Sequence, residues 1–421
     1  MDRVRNWAGN LTFGTDRVVT PRTVDEVQTL VAAAAPGSLR PLGTRHSFSP
    51  IADTTGVLLA SAGLADARDI RVAGDRASVS TPAGIRYGEL ARVLEADGLA
   101  LANLASLPHI SVAGAVATGT HGSGVRNGSL ATAVRSIEFV DGTGEIVTLR
   151  RGEPDFAGAV VALGALGFVT RLELDVEPTF AVAQTVYREL PLVAVLDSFG
   201  ELTALGYSVS LFTTWNDPDT IDQLWLKRRV DRDAEAPGRV LGALPSPTAM
   251  HPIAGVDPVH CTEQLGVPGP WLDRLPHFRL EFTPSNGDEL QTEYLVPRAT
   301  ALDALRAVRS LASRIRPLLQ VTEVREVAAD ELWLSGAYAS DVVALHFTWR
   351  PDQRAVDALL PELEHRLLPL GARPHWGKRF AADAAALEPL YPRLAEFRDL
   401  ARRHDPRGVF VNDYLRAKLG L

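Results

Sequence analysis

The clearest candidates for chemistry lie in one stretch of small residues. Residues 104–130 read LASLPHISVAGAVATGTHGSGVRNGSL, and glycines occupy positions 114, 119, 122, 124 and 128. Such a stretch lets successive backbone N–H groups converge on an anion, because the small side chains do not block its approach. Between residues 104 and 125 the stretch contains no lysine or arginine, so backbone dipoles would bind a phosphate there. A tight packing loop is the structural alternative.

Common nucleotide-binding motifs do not account for this stretch. The run GSGVRNG at 122–128 has the wrong spacing for a dinucleotide-binding fingerprint and follows no predicted strand. The Gly-Lys-Ser/Thr of a P-loop is also absent from it. Any phosphate site here therefore belongs to another class.

The loop PLGTRHSFSP, residues 41–50, contains a second candidate, His46. A histidine among glycine, serine and proline residues is ordinarily an exposed turn residue. The functional interpretation is a nucleophilic imidazole, which requires an accessible ring nitrogen next to an electrophile. Spacing alone leaves both interpretations open.

A predicted strand, VTEVREV at 321–327, carries two charged side chains on one face. Because side chains alternate along a strand, Glu323 and Arg325 share a face with Val321 and Val327. The pair is either a surface ion pair or a clamp for a ligand with hydroxyl groups, which donate to a carboxylate and accept from a guanidinium.

Two further segments near the C-terminus carry polar candidates. In the predicted strand HFTW, His346 and Thr348 face the same way. The loop RPHWGK adds His375 and Lys378. The structural alternatives are hydrogen-bonded core residues for the strand pair and a solvated lysine for Lys378.

The scaffold for these side chains is predicted to contain two to three domains, given 421 residues. Up to Pro178, short strands with interspersed helices indicate a mixed α/β unit. From about residue 179, longer alternating strands indicate an antiparallel sheet with helices on one side. The predicted helices are 87–98, 302–319, 386–403 and one within 19–35, which Thr23 and Glu26 would cap. The predicted strands and strand pairs are 38–42, 56–60, 70–80, 136–149, 166–178, 185–191, 207–215 and 223–229.

Composition argues against several classes of protein. The formal net charge of −8 does not suit a protein that binds nucleic acid, and the basic run Lys227, Arg228, Arg229 is predicted to be a solvated surface. The single cysteine, Cys261, excludes an internal disulfide and a cysteine-based metal site. No secretory signal is evident, and the apolar stretch 159–169 is too short to span a bilayer. We therefore expect a cytoplasmic protein without nucleic-acid or membrane partners.

Together, PLGTRHSF and LPHISVAGAVATGTHGSG resemble the motifs of the vanillyl-alcohol-oxidase-type family of FAD enzymes. The resemblance to the alditol oxidases of that family extends along the chain, through NWAGN, YSVSLFTTW, QLWLKRR, CTEQLGVPGPWLDRLPHFR, LQTEYLVPR and RPHWGK. It implies an α+β, two-domain fold of the PCMH type. The implied parts are an FAD-binding α/β domain at 1–178, a substrate domain with an antiparallel sheet flanked by helices at 179–378, and a C-terminal return to the FAD domain at 379–421.

The resemblance also implies a cofactor site. FAD is expected to be attached covalently through His46. Cys261 lies far from the loop that carries the second anchor in bicovalent relatives, so a single covalent bond is expected, and no metal. The positions that match the cofactor site are Gly43, Thr44, Arg45, His46, Ser47, Ser106, Ser111, Gly114, Thr118, Gly119, His121, Gly122, Val169 and His375.

On the substrate side, the resemblance implies that a polyol lies over the flavin and contacts Ser106, Glu323, Arg325, Thr348 and Lys378. Arg325 and Lys378 would stabilise a developing alkoxide, because both are positive. His346, with a pKa near its ordinary value, would be the general base, and Glu323 would bind the second hydroxyl.

The implied activity is FAD-dependent oxidation of the terminal C1 hydroxyl of alditols such as xylitol and sorbitol to the aldose. O2 would be reduced to H2O2, and the enzyme is expected to be a monomer. One alternative is an aldonolactone oxidoreductase, which would be a dehydrogenase if oxygen could not reach the flavin. Ala105 lies in the loop expected near the flavin ring, where it would affect the access of oxygen. The other alternative is a non-catalytic polyol-binding protein.

Overall fold

The computed structural model describes residues 3–282 and 289–421. Its N-terminal region combines short strands and short helices, as the sequence predicted. The strands there are β1 Val18–Val19, β2 Leu39–Leu42, β3 Val57–Ala60, β4 Arg71–Val72, β5 Ser78–Pro82, β6 Leu99–Ala100, β7 Val134–Asp141, β8 Ile146–Arg150, β9 Gly167–Asp175 and β10 Glu177–Pro178. The helices are α1 Val24–Ala32, α2 Tyr87–Ala96, α3 Val112–Ala117 and α4 Phe156–Val160.

Most of these strands form two sheets. Strands β1, β3 and β2 form a parallel three-stranded sheet, and β4, β5, β9, β7 and β8 form an antiparallel five-stranded sheet in that order. The structure confirms Thr23 as the N-cap of α1, because its hydroxyl accepts a hydrogen bond from the Glu26 N–H at 3.2 Å. The reciprocal half of the predicted capping box is replaced, since the Glu26 carboxylate accepts from the Arg22 N–H at 2.7 Å. Helix α3 lies within the small-residue stretch and carries it along the edge of the cavity described below.

The middle of the chain builds one large antiparallel sheet, which confirms the predicted change of architecture. Its strands are β11 Ala181–Pro191, β12 Ser208–Thr213, β13 Thr220–Arg229, β14 Gly269–Pro270, β15 Leu290–Pro297, β16 Leu319–Val327, β17 Val342–Trp349 and β18 Arg373–Pro374. They are ordered β14-β11-β13-β12-β16-β17-β15-β18. The helices of this region are α5 Leu192–Asp197, α6 Phe199–Thr203, α7 Ala301–Ser310, α8 Ala312–Ile315 and α9 Gln353–Leu367.

The two faces of this sheet have different roles. One face is apolar and packs on α7 and α9, with Val324, Leu345 and Phe347 in the shared core. The other face is polar, because side chains alternate along each strand. Glu323 pairs with His346 across β16 and β17, so the polar pairs that alternation predicted within each strand share this face.

The last helices, α10 Ala384–Leu387, α11 Leu394–His404 and α12 Asp413–Leu419, return to the N-terminal region. Phe397, Leu400 and Leu415 share a buried core with residues of the five-stranded sheet. The single helix predicted at 386–403 is wrong in its first part, because Pro389 and Pro392 interrupt it. We propose domain limits at residues 178 and 378, because the C-terminal helices that return to the N-terminal region begin shortly after the second limit.

The basic run on β13 was wrongly predicted to be a solvated surface. Lys227, Arg228 and Arg229 are 1%, 5% and 5% exposed. Arg229 pairs with Glu177 at 2.8 Å and Arg228 with Glu235 at 2.8 Å. Burial is possible because each cation has its own partners. Within the described residues, no helix has the length and apolar character needed to cross a membrane.

Candidate active site

A cavity of about 540 Å³ brings the predicted site residues together. It is lined on one side by the small-residue stretch and the His46 loop, and on the other by the polar face of the large sheet. The predicted residues in its lining are Gly43, Thr44, Arg45, His46, Ser47, Ser106, Ser111, Gly114, Thr118, His121, Val169, Glu323, Arg325, His346, Thr348, His375 and Lys378.

Two predicted cofactor residues lie outside this lining, Gly119 and Gly122. Gly119 has a φ of +65°, a conformation that favours glycine. A Cβ atom at Gly122 would lie 2.2 Å from the Asn103 Oδ1 atom. Chain geometry and packing therefore explain both glycines without a cofactor.

The His46 loop is fixed by the NWAGN segment near the N-terminus. The Trp7 ring stacks on the His46 imidazole with 5.3 Å between centroids, and the Asn6 side chain donates to the Ser47 carbonyl at 3.0 Å. Arg45 has a φ of +65°, which turns the chain sharply before His46. Burial, together with nearby His109 and Arg86, lowers the pKa of His46 to about 4. The imidazole is therefore neutral at pH 7, as a nucleophile must be.

The cavity wall around Ser111 has the features needed for an extended anionic cofactor. Cβ atoms at Gly43 and Gly114 would lie 2.6 Å and 2.8 Å from the Ser111 Oγ atom, so glycine keeps both positions clear. The Ser111 hydroxyl is buried and has no hydrogen-bond partner among the described residues. An unused donor beside a surface of small residues fits a bound phosphate or ring edge.

Arg325 is the centre of the polar cluster on the sheet. Its Nη2 donates to the Glu293 carboxylate at 2.7 Å and its Nη1 to the Ser106 hydroxyl at 3.3 Å. Its Nε is buried without a hydrogen-bond partner among the described residues, and lies 3.5 Å from Glu323 Oε2. Since Glu323 and Arg325 are both 5% exposed, the alternative of a surface ion pair is excluded. The free Nε and the nearby carboxylate oxygen offer a hydroxyl both a donor and an acceptor.

Glu293 on β15 is a site residue that the sequence patterns did not single out. It is 2% exposed, and its carboxylate lies 2.7 Å from Arg325 and 3.3 Å from Lys378. Burial opposes its ionisation, but the charges of Lys378, His121 and Arg325 prevail and keep its pKa well below the ordinary value. A signal for it existed, because LQTEYLVPR places Gln291 and Glu293 on one face of a strand.

Lys378 and His346 form a hydrogen-bonded pair next to Glu293. The Lys378 Nζ lies 2.9 Å from His346 Nδ1 and 2.7 Å from the Gln291 Oε1 atom. Only 16% of the Lys378 side chain is exposed, so the expected solvated lysine is excluded. On the other side of the ring, His346 Nε2 lies 3.2 Å from the Thr348 hydroxyl.

The protonation states of this pair differ from the expectation. Burial and the Lys378 charge lower the pKa of His346 to about 4, so its ordinary pKa cannot be the reason for a role as base. Burial also lowers the pKa of Lys378, although Glu293 opposes that change. A neutral His346 beside a lysine that loses its proton more readily is able to pass a proton along the pair.

His121, Glu293 and His375 form a trio that has the composition of a metal site. Their possible ligand atoms lie within 4.8 Å of one another. However, Glu293 is already paired with Arg325 and Lys378. Because both cations would repel a metal ion, we interpret the trio as part of the charge-balanced cluster.

Comparisons with known proteins agree with this geometry. Residues 15–150 match the profile of an FAD binding domain, and residues 287–418 match that of D-arabinono-1,4-lactone oxidase. L-gulono-1,4-lactone dehydrogenase of Mycobacterium tuberculosis is 29% identical over 99% of this chain and 98% of its own. The cholesterol oxidase of Brevibacterium sterolicum has the same fold, with a TM-score of 0.79, 16% identity, and 99% and 96% of the two chains covered.

A much higher identity links the chain to another oxidase. The alditol oxidase of a Streptomyces species is 51% identical over 98% of this chain and 98% of its own. The FAD-binding profile and the cholesterol oxidase likeness place the fold among the vanillyl-alcohol-oxidase-type (PCMH) proteins, with an α+β architecture. The chain belongs to the alditol oxidase family of these FAD-binding enzymes.

Proposed function

We propose that this protein is an FAD-dependent alditol oxidase that oxidises the terminal C1 hydroxyl of xylitol, sorbitol and related polyols to the aldose and reduces O2 to H2O2. The observation that carries the proposal is the buried polar cluster of Glu323, Arg325, His346 and Lys378, which faces the cofactor-sized cavity. Such a cluster suits a neutral substrate with many hydroxyls, because each buried hydroxyl requires a partner.

The cofactor would be bound by the small-residue stretch and attached through His46. The neutral His46 imidazole, held by the Trp7 stack and 3.0 Å from the Thr44 hydroxyl, supports a covalent bond there. When bound, FAD would supply the acceptor for the C1 hydride and the route for its electrons to O2. Positioning the polyol and removing its proton remain the tasks of the protein.

The cluster on the sheet would bind and orient the polyol. We assign the second hydroxyl to Glu323 Oε2, and the oxygen that develops charge to Arg325 Nε, the donor without a partner in the cluster. Ser106 and Thr348 line the same part of the cavity and offer hydroxyls to the rest of the chain.

The proton of the C1 hydroxyl would pass to the His346–Lys378 pair. When Lys378 is neutral, its lone pair accepts the His346 Nδ1 proton, which leaves Nε2 free to accept the substrate proton. The proton then resides on Lys378, where Glu293 at 3.3 Å stabilises the positive charge. Burial lowers the pKa of Lys378, which favours its neutral form relative to that of an exposed lysine.

A substrate panel with peroxide detection tests the proposed function. Xylitol, sorbitol, mannitol and glycerol are each supplied with air, and H2O2 is measured by a coupled peroxidase. A parallel series supplies aldonolactones with an artificial electron acceptor. Peroxide from alditols is the expected result. Turnover of lactones without peroxide from any alditol would instead support a lactone dehydrogenase, and no turnover at all would support a polyol-binding protein.

Replacing His46 tests the covalent attachment. In His46→Ala, all flavin should separate from the chain on denaturation, because the only proposed attachment atom is gone. Flavin fluorescence in a denaturing gel measures this, with His404→Ala as a matched control, since His404 is partly buried beside Asp141 and away from the cavity. Flavin that still migrates with denatured His46→Ala chain would show that the bond is elsewhere.

A further inference from the structure

A buried row of polar groups lies behind the substrate side of the cavity. Lys227 on β13 is 1% exposed and His277 is 5% exposed. The Lys227 Nζ lies 3.2 Å from His277 Nδ1, and His277 Nε2 lies 2.8 Å from Glu323 Oε1. The row therefore ends on the carboxylate to which we assign the second hydroxyl of the substrate.

The partners on the two sides of the His277 ring determine the direction of these hydrogen bonds. The Lys227 Nζ also donates to the carbonyls of Leu275 and Pro276, at 2.5 Å and 3.1 Å. Burial lowers the pKa of Lys227 to about 7, so its ammonium form predominates below neutral pH. In that form it has three N–H donors and no acceptor, and the third N–H points to His277 Nδ1.

Burial opposes the ionisation of Glu323, but the Arg325 charge keeps its pKa well below the ordinary value. The carboxylate can only accept, so the ring proton of a neutral His277 is on Nε2, where it is donated to Glu323.

The position of the His277 ring is fixed on all sides. Phe212 and Trp225 pack against it nearly edge-on, with centroids 5.6 Å and 5.2 Å away. The His277 backbone N–H donates to the Ser106 carbonyl at 3.2 Å. Burial and the Lys227 charge lower the pKa of His277 to about 4, which keeps the ring neutral, with a single ring proton.

We propose that Lys227 and His277 are positioning residues that fix one oxygen of Glu323 and leave the other oxygen for the substrate. Lys227 holds the Nδ1 side of the ring, and the Nε2–H of His277 occupies Glu323 Oε1. Glu323 Oε2 then remains beside Arg325 Nε, at 3.5 Å. The contact of His277 with Ser106 couples the two substrate-binding segments. This inference rests on the proposed function, because it gives Glu323 its hydroxyl.

Removing the His277 donor tests the link to the substrate. His277→Leu should lower kcat/KM for an alditol by about 10- to 100-fold, mainly through KM, because Glu323 loses a hydrogen bond to its charged carboxylate. For the 2-deoxy alditol the loss should be much smaller, since no second hydroxyl meets Glu323. His277→Gln, which keeps an N–H donor near the Nε2 position, should recover most of the activity. His404→Leu is the matched control.

Equal losses for the alditol and its 2-deoxy analogue, or no recovery in His277→Gln, would overturn the proposal, because a purely structural role predicts both. If wild-type protein yields no peroxide from any alditol, the proposed function fails instead. A second measurement, which requires no turnover, then still tests the row of Lys227, His277 and Glu323.

That measurement is the tautomer of His277. It is read from the ring-nitrogen chemical shifts of holoprotein labelled with ¹⁵N-histidine. The His277 signal is the one that disappears in His277→Gln. The wild type should show the Nε2–H form. Lys227→Met should raise the pH at which the His277 ring takes up a second proton, because the Lys227 charge helps to lower the pKa of that ring. Lys418→Met should not, since the Lys418 Nζ donates to the carbonyls of Ala381 and Ala382, outside the cavity lining. An Nδ1–H form in the wild type would overturn the proposed hydrogen bond to Glu323, and an unchanged protonation pH of His277 in Lys227→Met would overturn the proposed role of Lys227.

Discussion

Lys378→Met should reduce kcat for alditol oxidation by about 10²- to 10⁴-fold, the range typical of a lost general acid–base group. The reason is that the proton accepted by His346 Nε2 requires an acceptor at Nδ1, and Lys378 is the group 2.9 Å away. KM should change less, because Arg325 and Glu323 remain. Stopped-flow measurement of anaerobic flavin bleaching isolates the step that follows substrate binding.

Lys378→Arg distinguishes proton transfer from simple charge stabilisation. Arginine keeps a positive charge at every accessible pH and cannot accept the proton. If Lys378 acts as the final acceptor, Lys378→Arg should be nearly as slow as Lys378→Met. An arginine variant with most of the wild-type rate would contradict the relay and support a role as a fixed cation. Lys418→Met, a lysine outside the cavity lining, is the control.

The pH profile provides a further check on the same pair. Burial lowers the folded-state pKa of Lys378, so the neutral form that accepts the proton becomes more populated as pH rises through that lowered pKa. The bleaching rate of the wild type should therefore increase with pH and then level off. Protonation of His346 should matter only near pH 4, the value to which its pKa is lowered. Lys378→Met and Lys378→Arg should both lose the rise that belongs to the lysine.

The sequence predicts the strand faces of this site because alternation is a local property. Period-two spacing placed Glu323 with Arg325, and His346 with Thr348, and the register of β16 and β17 confirms that both pairs share one polar face. The change from a mixed region to a large antiparallel sheet was predictable for the same reason. Local chemistry also predicted the Thr23 cap of α1.

What the sequence could not supply is the pairing of residues far apart in the chain. Glu293 lies opposite His346 only because β15 pairs with β17, and its partners come from four separate segments. Lys227 looked like a surface residue because its acceptors, near residue 276, lie about fifty positions away. Charges are buried only where such partners exist, so burial of a charged run cannot be judged without the tertiary structure.

Glu293→Gln should destabilise the protein by about 3–5 kcal/mol at pH 7, the usual cost of breaking a buried ion pair from one side. The substitution is nearly isosteric, but it leaves Arg325 and Lys378 without their shared counter-charge. The kcat/KM should fall on the order of 10²-fold, because Lys378 loses the anion that stabilises its protonated form. Urea unfolding of the holoprotein and steady-state peroxide release measure the two effects.

The stability loss should depend on pH in a defined direction. The pKa of Glu293 is far below the ordinary 4.5 in the folded state, so its stabilising contribution is complete above that ordinary value. The contribution disappears as pH falls toward the folded-state pKa, because the unfolded chain takes up the proton first. The difference between wild type and Glu293→Gln should therefore be largest near neutral pH and shrink progressively below about pH 4.5.

Glu364→Gln separates loss of the counter-charge from loss of any buried carboxylate. Glu364 is 4% exposed and accepts hydrogen bonds from Tyr294 and from the N–H groups of Ala381 and Ala382, but it lies outside the cavity lining. Glu364→Gln should lower the free energy of unfolding, while its kcat/KM stays close to that of the wild type. If both variants lost activity in proportion to their stability, Glu293 would be a structural residue only. A selective loss in Glu293→Gln would show that the reaction requires this carboxylate between Arg325 and Lys378.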